Sequence, residues 1–135
     1  MNRPISSALI VGCGSIARRH AENLLRLGVR RVLAYDPDAA RLEHMRRELG
    51  CEPAASLAAA LDARPGVALI CTPPAYHANT ALAVNKRGIP CFIEKPVADT
   101  TASAERVRRA AAKGRVPLAV GYQLRFHPAI AWIRR

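Results

Sequence analysis

The sequence predicts a doubly wound α/β domain, that is, a parallel sheet with helices on both of its faces. Three observations predict this fold: short apolar runs without polar alternation, helical segments between those runs, and glycine or proline at most boundaries. Strands that are apolar throughout are typical of parallel sheets buried on both faces. Since crossovers between parallel strands are right-handed, helices then cover both faces. A length of 135 residues suits a single domain.

The order of the elements follows from the apolar runs and their boundaries. Strands are predicted at 8–12, 30–36, near Cys51, and at 67–72, 90–94 and 116–122. Helices are predicted at 15–27, 37–49, 56–62, 76–87 and 101–113. Proline suits the first turn of a helix and glycine the residue after its end, as at Pro37 and Gly50. A last helix is predicted from Pro128, with an apolar side formed by Ile130, Trp132 and Ile133.

Composition excludes several classes of protein. Half of the residues are hydrophobic, which argues against disorder. No apolar run reaches the roughly 20 residues of a membrane helix, and the run before Gly12 is too short for a signal peptide. We therefore expect a cytoplasmic protein without a membrane partner. No C-x-x-C pair is present, so we expect no metal site, and buried thiols in a reducing compartment, at Cys13, Cys51, Cys71 and Cys91.

The formal net charge of +11 is concentrated near the end, where residues 101–135 contain eight Lys or Arg and one acid. Such a segment suggests a nucleic-acid-binding domain as one alternative. The segment shows no aromatic platform on which bases would stack, so nucleic acid is the less favoured partner. We expect a solvated helix face, with Ala104, Val107 and Ala111 on the buried side and with five exposed cations, Arg106, Arg108, Arg109, Lys113 and Arg115.

The segment "GCGSIA" at 12–17 follows the first strand and begins the first helix. Gly12 permits a tight turn, Gly14 lets the backbone approach a pyrophosphate, and Ala17 allows close packing of helix on strand. The helix N-terminus offers unpaired N–H groups and a positive dipole end to phosphates. The segment therefore predicts a dinucleotide site that also includes Cys13, Ser15 and Ile16.

Asp36 ends the second strand, 19 residues beyond Ala17. A carboxylate at this place accepts hydrogen bonds from the adenosine ribose diol and repels a 2′-phosphate, so NAD is favoured over NADP. Arg41, close in sequence, slightly weakens that preference. The alternative is a turn or helix-capping aspartate before Pro37.

Three later strand ends, "CTPP" (71–74), "EKP" (94–96) and "GYQLRF" (121–126), are expected at the same edge of the sheet. Ligands of doubly wound sheets bind outside the carboxyl ends of the strands. Lys95 is therefore expected to face a redox centre, where its ammonium can hydrogen-bond a substrate hydroxyl or carbonyl or relay its proton. Glu94 could hold Lys95 in place. The alternative is a surface ion pair at a strand end.

Four segments, "VGCGSIARRH", "ICTPPAYH", "FIEKPVA" and "VGYQLRFHP", together resemble the Gfo/Idh/MocA oxidoreductases from Ala8 to about Pro128. The resemblance implies a Rossmann fold, a nicotinamide dinucleotide cofactor and a sugar, cyclitol or sugar-nucleotide substrate. It also implies a catalytic role for Lys95, commonly preceding a cis proline bond. The cofactor-binding residues that it implies are Gly12, Gly14, Ala17, Asp36, Thr72, Pro73, Pro74, His77, Glu94, Lys95 and Pro96.

The chain departs from the family in length, since family members run to well over twice 135 residues. The resemblance implies a second α/β domain that binds substrate, makes dimer contacts and supplies further acid–base residues, and we expect these 135 residues to lack it. We expect a Rossmann domain at 1–122 and, at 123–135, the start of a connection to that domain. His20, His44 and His127 are not expected to replace the missing residues. We expect cofactor binding without turnover; the alternative is a free-standing dinucleotide-binding or sensing module. A homo-oligomer is compatible with the resemblance.

Overall fold

The computed structural model describes residues 5–133; residues 1–4 and 134–135, which the predicted domain boundaries include, lie outside the described residues. The strands are β1 (Ser7–Val11), β2 (Arg31–Tyr35), β3 (Glu52–Pro53), β4 (Val67–Ile70), β5 (Cys91–Ile93) and β6 (Leu118–Val120). The helices are α1 (Ser15–Arg26), α2 (Ala39–Leu49), α3 (Leu57–Asp62), α4 (Pro74–Lys86), α5 (Thr101–Gly114) and α6 (Pro128–Ile133). A 3₁₀ turn, Gln123–Phe126, precedes α6.

The strands form one parallel sheet in the order β3-β2-β1-β4-β5-β6, which confirms the predicted doubly wound Rossmann architecture. β2 and β3 lie on one side of β1 in the sheet, and β4, β5 and β6 lie on the other. Val11, at the end of β1, is paired with Tyr35 of β2 and with Ile70 of β4. The helices that follow β1 and β4 pack on opposite faces of the sheet, and a crevice is expected at this edge.

Alternation along β1 separates the two layers of the core. Leu9 and Val11 belong to an apolar cluster that includes side chains of α3, α4 and α5. Ala8 and Ile10 belong to a second cluster with side chains of α1 and α2. Because successive side chains of a strand point to opposite faces, a strand that is apolar throughout must be covered on both.

Several predicted boundaries differ from the observed ones by one or two residues, and three of these differences have a clear local cause. β1 ends at Val11 because Gly12 has a φ of +89°, which is outside the strand region. α2 begins at Ala39 because the Asp38 side chain accepts hydrogen bonds from the backbone N–H groups of Ala40 and Arg41. α4 begins at Pro74 because proline is suited to the first helical position.

The basic face of α5 is solvated, as predicted. Val107 is buried, Ala104 and Ala111 are half-buried, and the five cations of the helix and its end are exposed. Arg108 and Arg109 both donate to Glu105, which lowers the pKa of that carboxyl to about 2. Two of the five cations are thus paired with one acid of the same helix.

Large apolar side chains are exposed beyond β6. Tyr122, Leu124, Phe126, Trp132 and Ile133 are all more than half exposed, although the predicted helix from Pro128 is present. A groove of about 730 Å³ between α5 and β6 is also lined mainly by apolar side chains. Across residues 5–133, every helix is too short or too polar to cross a membrane.

Candidate functional site

The glycine loop begins with a residue that the fold requires to be glycine. Gly12 has a φ of +89°, and its N–H donates to the carbonyl oxygen of Tyr35 at 2.8 Å. A Cβ at this position would lie 2.8 Å from the backbone nitrogen of Thr72 and 2.9 Å from the carbonyl carbon of Cys71. The loop after β1 therefore lies directly against the loop after β4, as the predicted tight turn requires.

The second glycine leaves the helix N-terminus open. Gly14 is the N-cap of α1 in an extended conformation, with a φ of −78°, and no side chain caps the helix there. A Cβ on Gly14 would meet no protein atom within 4 Å. Ala17, one turn further, is fully buried against the sheet. The first N–H groups of α1 are thus available to an anion.

Asp36 is buried, and both of its carboxylate oxygens accept backbone hydrogen bonds. Oδ2 accepts from the N–H of Cys13 at 2.7 Å, and Oδ1 accepts from the N–H of Asp38 at 2.8 Å. The turn aspartate considered as an alternative is therefore present. Each carboxylate oxygen has a second lone pair, so these bonds leave acceptor capacity for a ribose diol.

A cavity of about 690 Å³ lies along this edge of the sheet. Of the sequence-predicted residues, eight line it: Gly12, Cys13, Gly14, Ser15, Ile16, Asp36, Thr72 and Pro73. Six others are not among its lining residues: Ala17, Pro74, His77, Glu94, Lys95 and Pro96. Thr72 Oγ1 is buried beside the cavity without a hydrogen-bond partner among residues 5–133. An open helix N-terminus, a buried acid and an unpaired hydroxyl fit a dinucleotide.

Sequence reasoning missed part of the cavity wall. Tyr76 and Thr80 lie one turn apart on α4 and both line the cavity, as do Leu57 and Arg41. The i, i+4 spacing of Tyr76 and Thr80 places them on one helix face, and that spacing could have indicated them. Leu57 lies on α3, and no local signal in the sequence indicates it.

His77 lies behind the cavity rather than in it. The ring is 1% exposed, with Nε2 2.6 Å from the carbonyl oxygen of Thr72 and Nδ1 2.8 Å from that of Pro96. A neutral imidazole donates to only one of these oxygens, whereas an imidazolium donates to both. His77 therefore joins the loop after β4 to the loop after β5, and any contribution to cofactor binding comes through those loops.

The Glu94-Lys95-Pro96 segment lies at the carboxyl end of β5, at the predicted edge. The Lys95–Pro96 peptide bond is cis, as the family resemblance implies. Lys95 is exposed at this edge. The Glu94 carboxylate pairs with His20 of α1, with Nε2 2.7 Å from Oε1, and its Oε2 accepts the backbone N–H of Lys95 at 3.2 Å, so Glu94 contacts Lys95 through the main chain. His20, which was not expected to replace the acid–base residues of the second domain, is thus a partner of Glu94.

The four cysteines are buried and free, as expected. Burial, with a smaller contribution from the Asp36 charge, raises the pKa of Cys13 to about 12. Burial also raises the pKa of Cys71 to about 12, with a smaller contribution from Glu94. A thiol with so high a pKa remains protonated at neutral pH, so neither cysteine of the cavity wall is a nucleophile there.

Comparison with known proteins agrees with this site. Residues 7–122 match the model of the Gfo/Idh/MocA family, described as an oxidoreductase family with an NAD-binding Rossmann fold. The chain is 32% identical over 126 residues to the myo-inositol dehydrogenase Hyg17 of Streptomyces leeuwenhoekii, covering 93% of this chain and 39% of that protein.

Two solved structures extend the comparison. The UDP-N-acetylglucosamine 3-dehydrogenase GnnA of Acidithiobacillus ferrooxidans superposes with a TM-score of 0.84 at 29% identity, covering 95% of this chain and 40% of that one. The WlbA dehydrogenase of Chromobacterium violaceum, in complex with NADH and UDP-GlcNAcA, superposes with a TM-score of 0.91 at 25% identity. The match covers 100% of this chain and 40% of that one.

The chain thus spans about two fifths of the length of these relatives. The family model covers most of it, from β1 to the residue before the 3₁₀ turn. The matched region contains the glycine loop, Asp36, the loop after β4 and the Glu94-Lys95-Pro96 segment. The chain therefore belongs to the Gfo/Idh/MocA oxidoreductase family and has its NAD-binding Rossmann fold.

Proposed function

We propose that this chain is the nucleotide-binding domain of an NAD-dependent oxidoreductase that acts on a sugar, a cyclitol or a sugar nucleotide. The observation that carries the proposal is the cavity, in which the open N-terminus of α1, Asp36 and Thr72 meet. The N–H groups of α1 would hold the pyrophosphate and Asp36 the adenosine ribose. The bound nicotinamide would supply the hydride chemistry at a secondary alcohol or carbonyl carbon. Named relatives that oxidise inositols and sugar nucleotides support the substrate class.

The charges around Asp36 support NAD over NADP. Arg41 also lines the cavity, but its Nε lies 3.3 Å from Oδ2 of Asp38, so its charge already has a partner. The Asp36 carboxylate accepts only from neutral backbone N–H groups in its recorded hydrogen bonds, and its charge remains uncompensated there. A 2′-phosphate beside this group would meet like charge.

Calorimetric titration of the chain with NADH and NADPH tests this proposal. We expect NADH to bind more tightly by about 30-fold, which corresponds to about 2 kcal/mol. Asp36→Asn should reduce the ratio of the two affinities to about threefold or less, because it removes the charge that repels the phosphate. The ratio is informative because general damage to the loop would weaken the binding of NADH and NADPH by the same factor and leave their ratio unchanged.

Asp62→Asn is the matched control, because it removes one exposed acid of α3 that pairs with Arg87 and does not line the cavity. The control should retain the wild-type ratio. Equal or tighter binding of NADPH by the unaltered chain would contradict the assignment of NAD.

Lys95 is proposed to polarise or protonate the substrate oxygen in the whole enzyme, with Glu94 and Pro96 fixing the lysine beside the nicotinamide. We further propose that residues 1–122 form the cofactor domain and that 123–135 lead into a substrate-binding domain. The exposed apolar side chains of Leu124, Phe126 and Trp132 support this division, since they form a surface that further polypeptide would cover.

The 135-residue chain alone is expected to bind NADH without catalysing hydride transfer. Lys95 is exposed, and no second wall holds a substrate against the cofactor within residues 5–133. Proximity and exclusion of water supply much of the rate enhancement of enzymes, and both depend on such a wall. Absorbance at the NADH band, followed with NAD and myo-inositol, glucose or a UDP-sugar, measures turnover. Sustained turnover by the chain alone would refute the proposal.

A further inference from the structure

The His20–Glu94 pair is made by two parts of the chain that the sequence separates by 74 residues. His20 Nε2 lies 2.7 Å from Glu94 Oε1, and the two side chains are only 19% and 13% exposed. An ionised carboxylate has no hydrogen to donate, so Nε2 must carry the proton and donate it. The edge of the His20 ring also meets Phe92 of β5, with ring centroids 5.3 Å apart and planes at 67°. His20 is therefore held from two sides, by Glu94 and by Phe92.

The second oxygen of Glu94 is fixed from another direction. Oε2 accepts the backbone N–H of Lys95 at 3.2 Å. Gly121, just beyond β6, closes the space behind it, since a Cβ there would lie 3.3 Å from Oε2 and 2.9 Å from Cζ of Phe92. The carboxylate is thus enclosed by α1, by the end of β5 and by the segment after β6, and its place is determined by all three.

This arrangement has a consequence for the charge of Lys95. Glu94 is the nearest acid in sequence, and the flexible four-carbon stem of lysine readily brings its ammonium to a nearby carboxylate. Within residues 5–133, however, the Lys95 ammonium forms no ion pair with an acid, and the side chain is exposed. The carboxylate that the lysine could otherwise approach is instead held toward α1, where Oε1 meets His20 Nε2.

We propose that His20 is a positioning residue for Lys95: by holding the Glu94 carboxylate, it keeps the lysine ammonium unpaired and available to a substrate oxygen. This inference rests on the proposed role of Lys95. The proposal also gives α1 a second role, because the N-terminus of this helix faces the cavity while its His20 contacts Glu94. The phosphate end and the lysine end of the site are then placed by one rigid element.

Competitive acetylation of the chain, read by peptide mass spectrometry, tests the proposal without cofactor or substrate. The sequence has three lysines, Lys86, Lys95 and Lys113, and all three are exposed, so Lys86 and Lys113 serve as internal references. In His20→Ala the freed Glu94 carboxylate should bind the ammonium and lower the relative acetylation rate of Lys95 by about threefold or more. His20→Gln, whose amide can still donate to Glu94, should restore the rate.

Two further variants identify the cause of a change. The double variant His20→Ala with Glu94→Gln should regain the wild-type rate, because the charge that binds the lysine is gone. His44→Ala, an exposed histidine of the neighbouring helix α2, should leave the rate unchanged. His20→Leu, which retains side-chain volume, replaces His20→Ala if the alanine variant does not fold.

The direction of the change separates positioning from mere structural support. A segment that only loosens on loss of His20 would expose Lys95 more and raise its acetylation rate. A raised or unchanged rate in the folded variant would overturn the proposal, as would a lowered rate that the Glu94→Gln change does not reverse. NADH affinity, measured separately, tests the proposed function, so failure of one proposal is distinguishable from failure of the other.

Discussion

Replacement of Gly12 by alanine is expected to destabilise the domain by about 3 kcal/mol, a large share of the stability of a small domain. Two costs add. The backbone of Gly12 has a φ of +89°, and a side chain in that region costs about 1–2 kcal/mol. The new Cβ would also lie 2.8 Å from the backbone nitrogen of Thr72, so the loops after β1 and β4 must separate, at about 1–3 kcal/mol. Urea unfolding measures the loss.

Gly28→Ala is the matched control for this experiment. Gly28 has a φ of +83°, almost that of Gly12, but a Cβ there would meet no atom within 4 Å. The control should therefore show only the backbone cost of about 1–2 kcal/mol. Equal losses of unfolding free energy in the two variants would contradict our expectation, because the close approach of Gly12 to Thr72 would then add no cost to the alanine substitution.

Replacement of Gly14 by alanine is expected to weaken NADH binding by about 30-fold or more, about 2 kcal/mol, with little change in stability. The φ of −78° suits any residue, and the Cβ would meet no protein atom, so unfolding should change by no more than about 1 kcal/mol. The methyl group would, however, occupy the space where the backbone must approach the pyrophosphate. Titration with NADH, combined with urea unfolding, measures both quantities.

The same control, Gly28→Ala, should give the opposite pair of results. It lies at the far end of α1 and does not line the cavity, so it should lower stability while NADH affinity stays at the wild-type value. If Gly14→Ala retained full affinity, the pyrophosphate would not bind at this helix N-terminus, and the proposed site would be wrong.

Most of the fold could be predicted because its signals are local. Apart from β3 (Glu52–Pro53), the strands are short and mainly apolar runs, and most boundaries have a nearby glycine, proline or capping side chain. The errors in boundaries come from the same local scale: the cap at Asp38 and the proline at Pro74 shift helix starts by two residues. The helices on both faces of the sheet followed from the handedness of parallel crossovers, whereas the order of the strands was read from the structure.

The candidate site was predicted only in part, because some of its contacts join residues distant in the sequence. The glycine loop and Asp36 belong to local motifs, and both line the cavity. Glu94 was expected to hold Lys95, its neighbour in the chain, but no local signal indicated that Glu94 also pairs with His20, which only the packing of α1 beside β5 brings close. His77 likewise contacts a carbonyl 19 residues away.

The sequence by itself determined the doubly wound sheet, the glycine loop and the acid at the end of β2, since apolar runs and glycine spacing act within one element or one turn. Only the tertiary structure decided which side chains line the cavity and which hydrogen-bond partner each polar group has. Hydrogen bonds have a short range and a strict direction, so their partners depend on the packed positions of whole helices and strands. His20 and His77 look alike in the sequence, each within one or two turns of a helix start; packing assigns one to a carboxylate and the other to two carbonyl oxygens.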